Sequence, residues 1–536
     1  MSLYTKSISS FLISRGRHSS LGSLAGLVIL ISSIPLIAVI SNSLELSGAQ
    51  WLNLWSTRLV ELLWNTLSLA FLVAVVCLIL GVSAAWWISR YEFVGRKIAI
   101  WLMVLPLTVP TYVFAHIYTT MFEDDGWIGS LIIWLFGSSE FIPDIYNIGG
   151  TTLVLSLAGF SYVFLLTNAA LSNSTKNLEE AAIIHGAHPF QVFWRVNLPL
   201  LRPAIAAGTA VVVLHALSDF GAVSMLHFQT FTLSIYLQMS GRFDYQSAAG
   251  LSLVLVALSL TFLILERFFR TRQQYYASRQ SRAHQRKTAS PTVTFMIWLW
   301  LGSITLFSFG LPIAWMLKWT AEAWAHGSIQ SEFWQYSFNS LLIATIAASL
   351  AIVVALPLSL FNARSRSRLS NGMLQLSSVG FVLPGPVIAL GILAFILTQL
   401  PILYGGLSAL VFALIIRFLP LAVQSQDAAL QQVTPTIEQA GRSLGAGPIE
   451  NLRRVILPMI KGGMASAWVL VFIDTLKELP ATLILRPTGF DTLPVRIWIE
   501  ASEEMLELAA PAALMLVIGT LPVLWVLMMN KGSQKT

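Results

Sequence analysis

The feature that most constrains this chain is a polar segment that occurs twice, once at 178–205 and again at 437–464. Both copies lie between long apolar stretches, so each is expected to be a water-exposed loop of a membrane protein. A segment repeated at one internal offset indicates two copies of one membrane unit. The gapless alignment superimposes identical residues: Glu179 on Glu438, Ala181 on Ala440, Gly186 on Gly445, Arg195 on Arg454, Leu198 on Leu457 and Pro199 on Pro458.

The composition is that of an integral membrane protein. Hydrophobic residues make up 56% of the 536 positions and charged residues 11%, whereas a soluble domain is about 25% charged. Continuous apolar runs of helix-spanning length exclude a β-barrel, whose strands alternate polar and apolar residues. We therefore predict an all-α membrane protein with about 12 transmembrane helices, near 21–41, 64–88, 98–120, 149–171, 203–222, 249–266, 294–317, 338–361, 373–398, 405–424, 464–485 and 509–529.

The lysines and arginines predict the orientation, because cytoplasmic loops are enriched in them. The stretch 122–148 has acidic residues but no Lys or Arg, so we place it outside, with 127–137 as an interfacial helix too short to cross. Both termini are then cytoplasmic. The net charge of +7 reflects this orientation and contact with anionic lipid headgroups, not nucleic-acid binding. The loops placed inside contain Arg90, Arg96, Lys97, Lys176, Arg195, Arg202, Arg364, Arg366, Arg368, Arg442, Arg453, Arg454 and Lys461.

The chain divides into two membrane units and a linker. We predict a first unit at 1–266, with its polar loop at 172–202, and a second unit at 294–536, with its polar loop at 426–462. Residues 267–293 form a basic segment, which is either a plain cytoplasmic linker or a regulatory or lipid-binding tether. Because each unit has an even number of spans, the pseudo-twofold axis runs along the membrane normal, with a pathway between the units.

Motifs of enzyme chemistry are absent from the sequence. It contains no G-x-x-x-x-G-K-[ST] loop, no H-E-x-x-H and no nucleophile elbow, so we predict that the chain is not an enzyme and uses no cofactor. His185 and His188 could share a helix face and bind a metal, but their place in a polar loop favours a solvated surface role. The metal-binding residues, if any, stay unknown at this point.

The first polar loop contains a specific pattern: Glu-Ala-Ala, three residues, Gly, nine residues, an aliphatic residue, one residue, Leu-Pro. It resembles the cytoplasmic loop of binding-protein-dependent ABC importer permeases. The second loop departs from that pattern, because Gln439 replaces the Glu and Gly441 replaces the second Ala. The neighbouring Glu438 could then substitute as the acidic contact. The matching positions of the first loop are Glu180, Ala181, Ala182, Gly186, Val196, Leu198 and Pro199.

This resemblance implies a type I, MetI-like fold of two parallel six-span repeats in the bacterial inner membrane. In that family the loop docks on a cytoplasmic ABC ATPase, so 172–202 and 426–462 are called the coupling loops below. A pair of ATPase subunits would hydrolyse ATP, and a periplasmic substrate-binding protein would deliver the substrate. Glycine in the loop permits a left-handed turn between two short helices. The residues expected to couple to the ATPase are Glu179, Glu180, Ala181, Ala182, Gly186, Pro199, Glu438, Gln439, Ala440, Gly445 and Pro458.

Acidic residues in two apolar spans mark a candidate substrate pathway. Asp219 and Glu478 align at the same offset as the loops, and Asp474 precedes Glu478 by about one helical turn. A carboxylate inside a span costs about 2.5–3.5 kcal/mol. These acids therefore either receive a cation between the units, or pair with Lys477 and cap broken helices.

The segments SDFGAVS and KELPATLILRP resemble the ferric-iron branch of these permeases, and iron(III), a hard cation, suits oxygen-rich sites. The same branch is similar to permeases for thiamine, phosphonate, sulfate and polyamine, which stay open as alternatives. From a different class, an ion-coupled secondary transporter would use the same carboxylates as its coupling relay.

Overall fold

The computed structural model describes residues 21–172, 182–271, 286–329, 331–365, 367–378, 380, 383–431 and 433–533. Over these residues the chain is almost entirely helical, which confirms the predicted all-α class. The strands β1 (Tyr91–Glu92) and β2 (Lys287–Thr288) pair in parallel. Residues 272–285 of the predicted linker lie outside the described residues.

The helices of the first half are short at the loops and long where they cross. In order they are α1 (Leu21–Ser32), α2 (Ile34–Leu44), α3 (Gly48–Leu54), α4 (Val60–Arg90), α5 (Arg96–Leu102), α6 (Thr111–Met121), α7 (Trp127–Phe136), α8 (Ile148–Ser172), α9 (Pro189–Val192), α10 (Leu198–Ser218), α11 (Gly221–Met225), α12 (Phe231–Tyr236) and α13 (Tyr245–Thr271).

The second half repeats the packing of the main helices of the first. Helices α4, α8 and α10 pack together in the first half, and their counterparts α16, α19 and α22 pack together in the second. The helices of the second half are α14 (Pro291–Thr305), α15 (Leu311–Ala325), α16 (Glu332–Ser365), α17 (Arg368–Ser377), α18 (Gly385–Gln399), α19 (Leu407–Leu430), α20 (Pro435–Ser443), α21 (Pro448–Asn451), α22 (Leu457–Leu476), α23 (Pro480–Leu485), α24 (Leu493–Ser502) and α25 (Leu506–Ser533).

Shorter helical turns connect several of these elements. The π-helical turns are Trp55–Leu59, Phe193–Asn197, Leu237–Gly241, Leu306–Gly310 and Leu452–Ile456, and the 3₁₀ turns are Leu105–Thr108, Ser139–Phe141 and Pro401–Leu403. One π-helical turn precedes α10 and another precedes α22, so the two copies agree even in this local irregularity.

The predicted spans are only partly continuous. Nine helices among the described residues are long and apolar enough to cross a membrane, and two bent pairs raise the number to as many as eleven. In the predicted span 98–120, Arg96–Thr108 and Thr111–Met121 meet at 93°. Pro106 and Pro110 lie at this break and lack the N–H that a continuous helix needs. The predicted span 373–398 is likewise divided between α17 and α18.

Glycine permits a close helix contact in the first half. A Cβ on Gly81 would lie 2.7 Å from the Cβ of Val163 and 2.9 Å from the carbonyl oxygen of Phe160. Helices α4 and α8 therefore approach until backbone meets backbone, as small residues allow inside membranes.

The first helices of each half also pack against the other half. Helix α2 packs against α18, and α15 packs against α6. The indole N–H of Trp315 donates to Thr120 Oγ1 at 2.9 Å, and that of Trp298 donates to the Val94 carbonyl at 2.9 Å. These contacts join the two halves.

Replacing Gly391 with valine is expected to displace α2 and lower the apparent Tm of the detergent-solubilised protein. A Cβ at Gly391 would lie 2.3 Å from the carbonyl oxygen of Pro35 and 2.7 Å from its Cα, and overpacking of this kind costs about 1–3 kcal/mol. Gly302→Val is the matched control, because Gly302 also lies in a helix and its Cβ would meet no atom within 4 Å. Equal melting of the two variants would contradict the close crossing of α2 and α18.

Candidate functional site

The two coupling loops share one backbone turn. Gly186 has φ 81° and Gly445 has φ 92°, the left-handed region that glycine enters without strain. Each glycine separates a preceding helical segment, 182–184 or α20, from a short helix, α9 or α21. The predicted turn is therefore confirmed in both loops. Glu179, Glu180 and Ala181 lie outside the described residues.

Glu438 of the second coupling loop points into the protein. Its Oε2 lies 2.7 Å from Nε of Arg364, at the end of α16, and its Oε1 accepts from Arg442 at 2.6 Å. The side chain of Glu438 is only 7% exposed and that of Arg364 11%. The amide of Asn451 also donates to the Glu438 carbonyl at 3.0 Å. These contacts tie α20 to the membrane helices.

Other residues of the coupling loops face outward. Gln439, Ala440 and Pro458 are exposed, while Ala182 and Pro199 are half-buried. Large apolar side chains are exposed as well: Ile184 is 83% exposed, Leu444 90% and Ile449 81%. Apolar residues grouped on a polar loop indicate a surface that a partner covers.

The three candidate acids of the substrate pathway line one cavity of about 210 Å³ between the halves. Asp219 follows α10, where the predicted span 203–222 breaks, and Glu478 follows α22, where the predicted span 464–485 breaks. The sequence placed both acids inside continuous spans, which is wrong: both lie at helix breaks, where a carboxylate can accept from free backbone N–H groups.

Both aligned acids cap the short helix that follows them. Asp219 Oδ1 accepts from the N–H of Ala222 at 2.9 Å, and Oδ2 accepts from Thr111 Oγ1 at 2.5 Å. Glu478 accepts from the N–H groups of Ala481 and Thr482 at 3.0 Å each. The helix-capping alternative drawn from the sequence therefore describes this geometry.

Two cations reach the same cavity. Arg417 Nε lies 3.7 Å from Glu478 Oε1, whose side chain is 1% exposed. Lys477 Nζ lies 3.9 Å from Asp474 Oδ1 and donates to the Leu107 carbonyl of the other half at 2.9 Å. Arg417 was not among the residues predicted from the sequence, although a lone arginine in the apolar run 405–424 is a signal of function.

The rest of the cavity wall combines apolar and weakly polar groups. Tyr162 and His215 face it, with Tyr162 Oη 3.2 Å from His215 Nε2. Phe220 lines it and packs against Trp498 of the other half, with ring centroids 6.2 Å apart. The Trp498 indole donates to Ser224 Oγ at 3.1 Å, which holds the halves together beside the cavity. Across the described ranges, no group of three or more His, Cys, Asp or Glu residues is arranged to hold a metal ion.

Acidic residues of the two halves meet on the face predicted to be outside. Burial, followed by the charges of Asp125 and Glu504, raises the pKa of the Glu123 carboxyl. Glu504 belongs to the second half and has a left-handed backbone, with φ 59°. The acidic character of this face therefore comes from both units.

The chain matches one protein family twice. The family described as "Binding-protein-dependent transport system inner membrane component" matches residues 77–275 and again 355–530. A Fe(3+)-transport system permease protein of Haemophilus influenzae is 32% identical over 490 residues, which are 90% of this chain and 93% of that protein. A putative ferric transport system permease protein of the same species is 26% identical over 472 residues, 84% of this chain and 73% of that protein.

A further relative has half the length. The sulfate transport system permease protein of Escherichia coli K12 is 30% identical over 264 residues, which are 48% of this chain and 93% of that protein. Half of this chain thus corresponds to nearly all of that relative, in agreement with two fused membrane units.

Proposed function

The chain belongs to the family of binding-protein-dependent transport system inner membrane components, and on this basis we propose that it is the permease of an ATP-driven importer of ferric iron. The observation that carries the cargo assignment is the Haemophilus influenzae relative named a Fe(3+)-transport system permease protein, which aligns with 90% of the chain. An alignment of that extent includes both halves, the acids of the cavity and both coupling loops.

The energy would come from a cytoplasmic ABC ATPase pair docked on the two coupling loops. The exposed Ile184 and Leu444 support this docking, because a partner cleft would remove their side chains from water. Glu438 is assigned a positioning role, since its carboxylate already pairs with Arg364. The proposed ATPase contacts are Glu179, Glu180, Ala181, Ala182, Gly186 and Pro199 in the first loop, and Gln439, Ala440, Gly445 and Pro458 in the second.

A periplasmic binding protein would deliver the cargo to the opposite face. The excess of Lys and Arg in the coupling loops, and their absence from 122–148, support cytoplasmic termini and an outer acidic face. The cargo would then pass between the halves through the cavity lined by Asp219, Asp474 and Glu478.

Sulfate is the second candidate cargo. The Escherichia coli relative is a sulfate permease, and Arg417 and Lys477 at the cavity could bind an oxyanion. Iron is favoured because its relative aligns with both halves at once. An ion-coupled secondary transporter is disfavoured, because such a transporter does not require two coupling loops of the kind found in this family.

Iron-loaded binding protein is expected to raise the ATP hydrolysis rate of the complex reconstituted in lipid, relative to the empty binding protein. Closing the cargo-loaded protein on the outer face should favour the ATPase-closed state, because coupling between two sites is reciprocal. Sulfate in place of iron is the comparison arm. If sulfate raises the ATP hydrolysis rate and iron does not, sulfate replaces iron as the assigned cargo. If no ATPase binds the chain, the proposed role of the two coupling loops is refuted.

Gly445→Val is expected to uncouple ATP hydrolysis from uptake while the membrane helices stay folded. A β-branched residue at φ 92° is strained, and no neighbouring atom lies within 4 Å of the Cβ position, so the strain acts on the turn alone. Gly302→Val again serves as the control for helical glycine replacement. A coupled, normally active Gly445→Val complex would contradict the role of the turn.

A further inference from the structure

The charges of the cavity nearly cancel. Its wall contains three carboxylates, Asp219, Asp474 and Glu478, and two cations, Lys477 and Arg417. Three carboxylates against two cations leave one negative charge uncompensated among these side chains. A cavity built to hold a bare trivalent cation would need an excess of carboxylates, which this one does not have.

The carboxylates are also already engaged. Glu478 pairs with Arg417 at 3.7 Å and accepts two backbone N–H groups. Asp219 accepts from Thr111 and from Ala222. Pulling Glu478 onto a metal would leave Arg417 without its carboxylate partner, and Asp219 could turn to a metal only by giving up its bond from the Thr111 hydroxyl. A buried ion is strongly disfavoured where its charge is not matched, so this wall disfavours a bare iron(III) ion.

The arrangement of possible metal ligands also argues against a bare iron ion. Among the residues that the structure describes, no three His, Cys, Asp or Glu side chains are grouped so that they could hold a metal ion. The cavity volume of about 210 Å³ is many times the roughly 10–15 Å³ that a cavity needs to hold one water. It therefore has room for an iron ion together with its own ligands.

We propose that iron(III) crosses this cavity as a complex with at least one small oxyanion, of the phosphate or carboxylate type, and not as a bare cation. The proposal rests on ferric iron being the cargo. The oxyanion supplies the negative charge that the wall lacks, and the wall supplies cations that the oxyanion can contact. The positive charge of iron and the negative charge of the oxyanion are then both compensated, and the helix caps stay intact.

Lys477 is the residue assigned to the oxyanion. Its ammonium has three donors, of which one goes to the Leu107 carbonyl at 2.9 Å. Asp474 at 3.9 Å is beyond hydrogen-bonding distance, so donor capacity is left for cargo. Arg417, in contrast, is held against Glu478. At the equivalent position the first half has Ser218, which also lines the cavity, so the cation is present on one side only.

The test is dual-label uptake into proteoliposomes that contain the full complex, with the ATPase inside and iron-loaded binding protein outside. Radioactive iron is combined in separate arms with radiolabelled phosphate and with radiolabelled citrate. ATP-dependent entry of one of these anions together with iron, at about one anion or more per iron, is expected. Iron entry without either anion would refute the complexed-cargo proposal alone. Absence of iron entry, with ATP still hydrolysed, would refute the iron assignment and this proposal with it.

Variants of Lys477 test its role. Lys477→Gln is expected to raise the KM for the anion-loaded cargo by about tenfold or more, the effect of losing a charge-assisted hydrogen bond, with a smaller change in kcat. Lys477→Arg should restore most of the affinity. Lys318→Gln is the control, because Lys318 lies outside the cavity and pairs with Glu322 at 4.0 Å. Equal KM values for Lys477→Gln and the control would overturn the assignment.

Discussion

Replacing Glu438 with alanine is expected to weaken ATPase binding to the second coupling loop at least about a hundredfold and to abolish cargo-stimulated ATP hydrolysis. The carboxylate is 7% exposed and lies 2.7 Å from Arg364, itself 11% exposed. Removing one partner of a buried pair leaves an uncompensated charge and costs about 3–5 kcal/mol. Each 1.4 kcal/mol is a factor of ten. Because α20 depends on this contact, the loss should appear as its undocking from α16.

The measurement is co-purification of the ATPase with the permease, followed by ATP hydrolysis in lipid. Glu450→Ala is the matched control: Glu450 lies on the same loop and pairs with Arg454 at 3.0 Å, but the two side chains are 45% and 77% exposed. Exposed pairs contribute about 0–1 kcal/mol, so this variant should behave like the wild type. The double variant Glu438→Met, Arg364→Met should recover much of the loss, since no charge is left buried. Equal behaviour of the two alanine variants would refute the anchoring role.

Local features of the coupling loops could be predicted from the sequence, and their long-range contacts could not. Gly186 and Gly445 occupy one position of a repeated polar segment, and a left-handed turn depends on little beyond the glycine itself. The pairing of Glu438 with Arg364 joins residues that are far apart in the chain. The sequence shows that both residues are charged, but only the packing of α16 against the loop brings the two side chains together.

The membrane spans illustrate the same limit. Average hydropathy over about 20 residues detects apolar runs. It does not detect the helix break at Pro106 and Pro110, because a short break hardly changes the average. The break itself depends on neighbouring helices that satisfy the freed backbone groups. For Asp219 and Glu478, the sequence left cation binding and helix capping open. Choosing between these two roles required the positions of the backbone N–H groups three and four residues after each acid.

The two aligned acids are expected to differ strongly in their effect on stability. Glu478→Ala should destabilise the protein by about 3–5 kcal/mol, because it leaves Arg417 in the protein interior without its partner. Asp219→Ala should cost about 0.5–2 kcal/mol, the range of a lost helix cap, because the Asp219 carboxylate accepts from the Thr111 hydroxyl and from backbone N–H groups. Urea unfolding of the detergent-solubilised variants, followed by tryptophan fluorescence, measures the difference.

This difference bears on which acid is free to act on cargo. Glu478 is tied to Arg417, whose side chain is only 18% exposed, whereas Asp219 can exchange a threonine hydroxyl for another ligand at small cost. We therefore expect Asp219→Asn to lower cargo uptake with little loss of stability, since an amide oxygen can still cap α11. Glu478→Gln should lower both together, because it keeps the cap but removes the charge that Arg417 requires. If Glu478→Gln instead melts like the wild type and loses uptake alone, Glu478 and not Asp219 is the acid that meets the cargo.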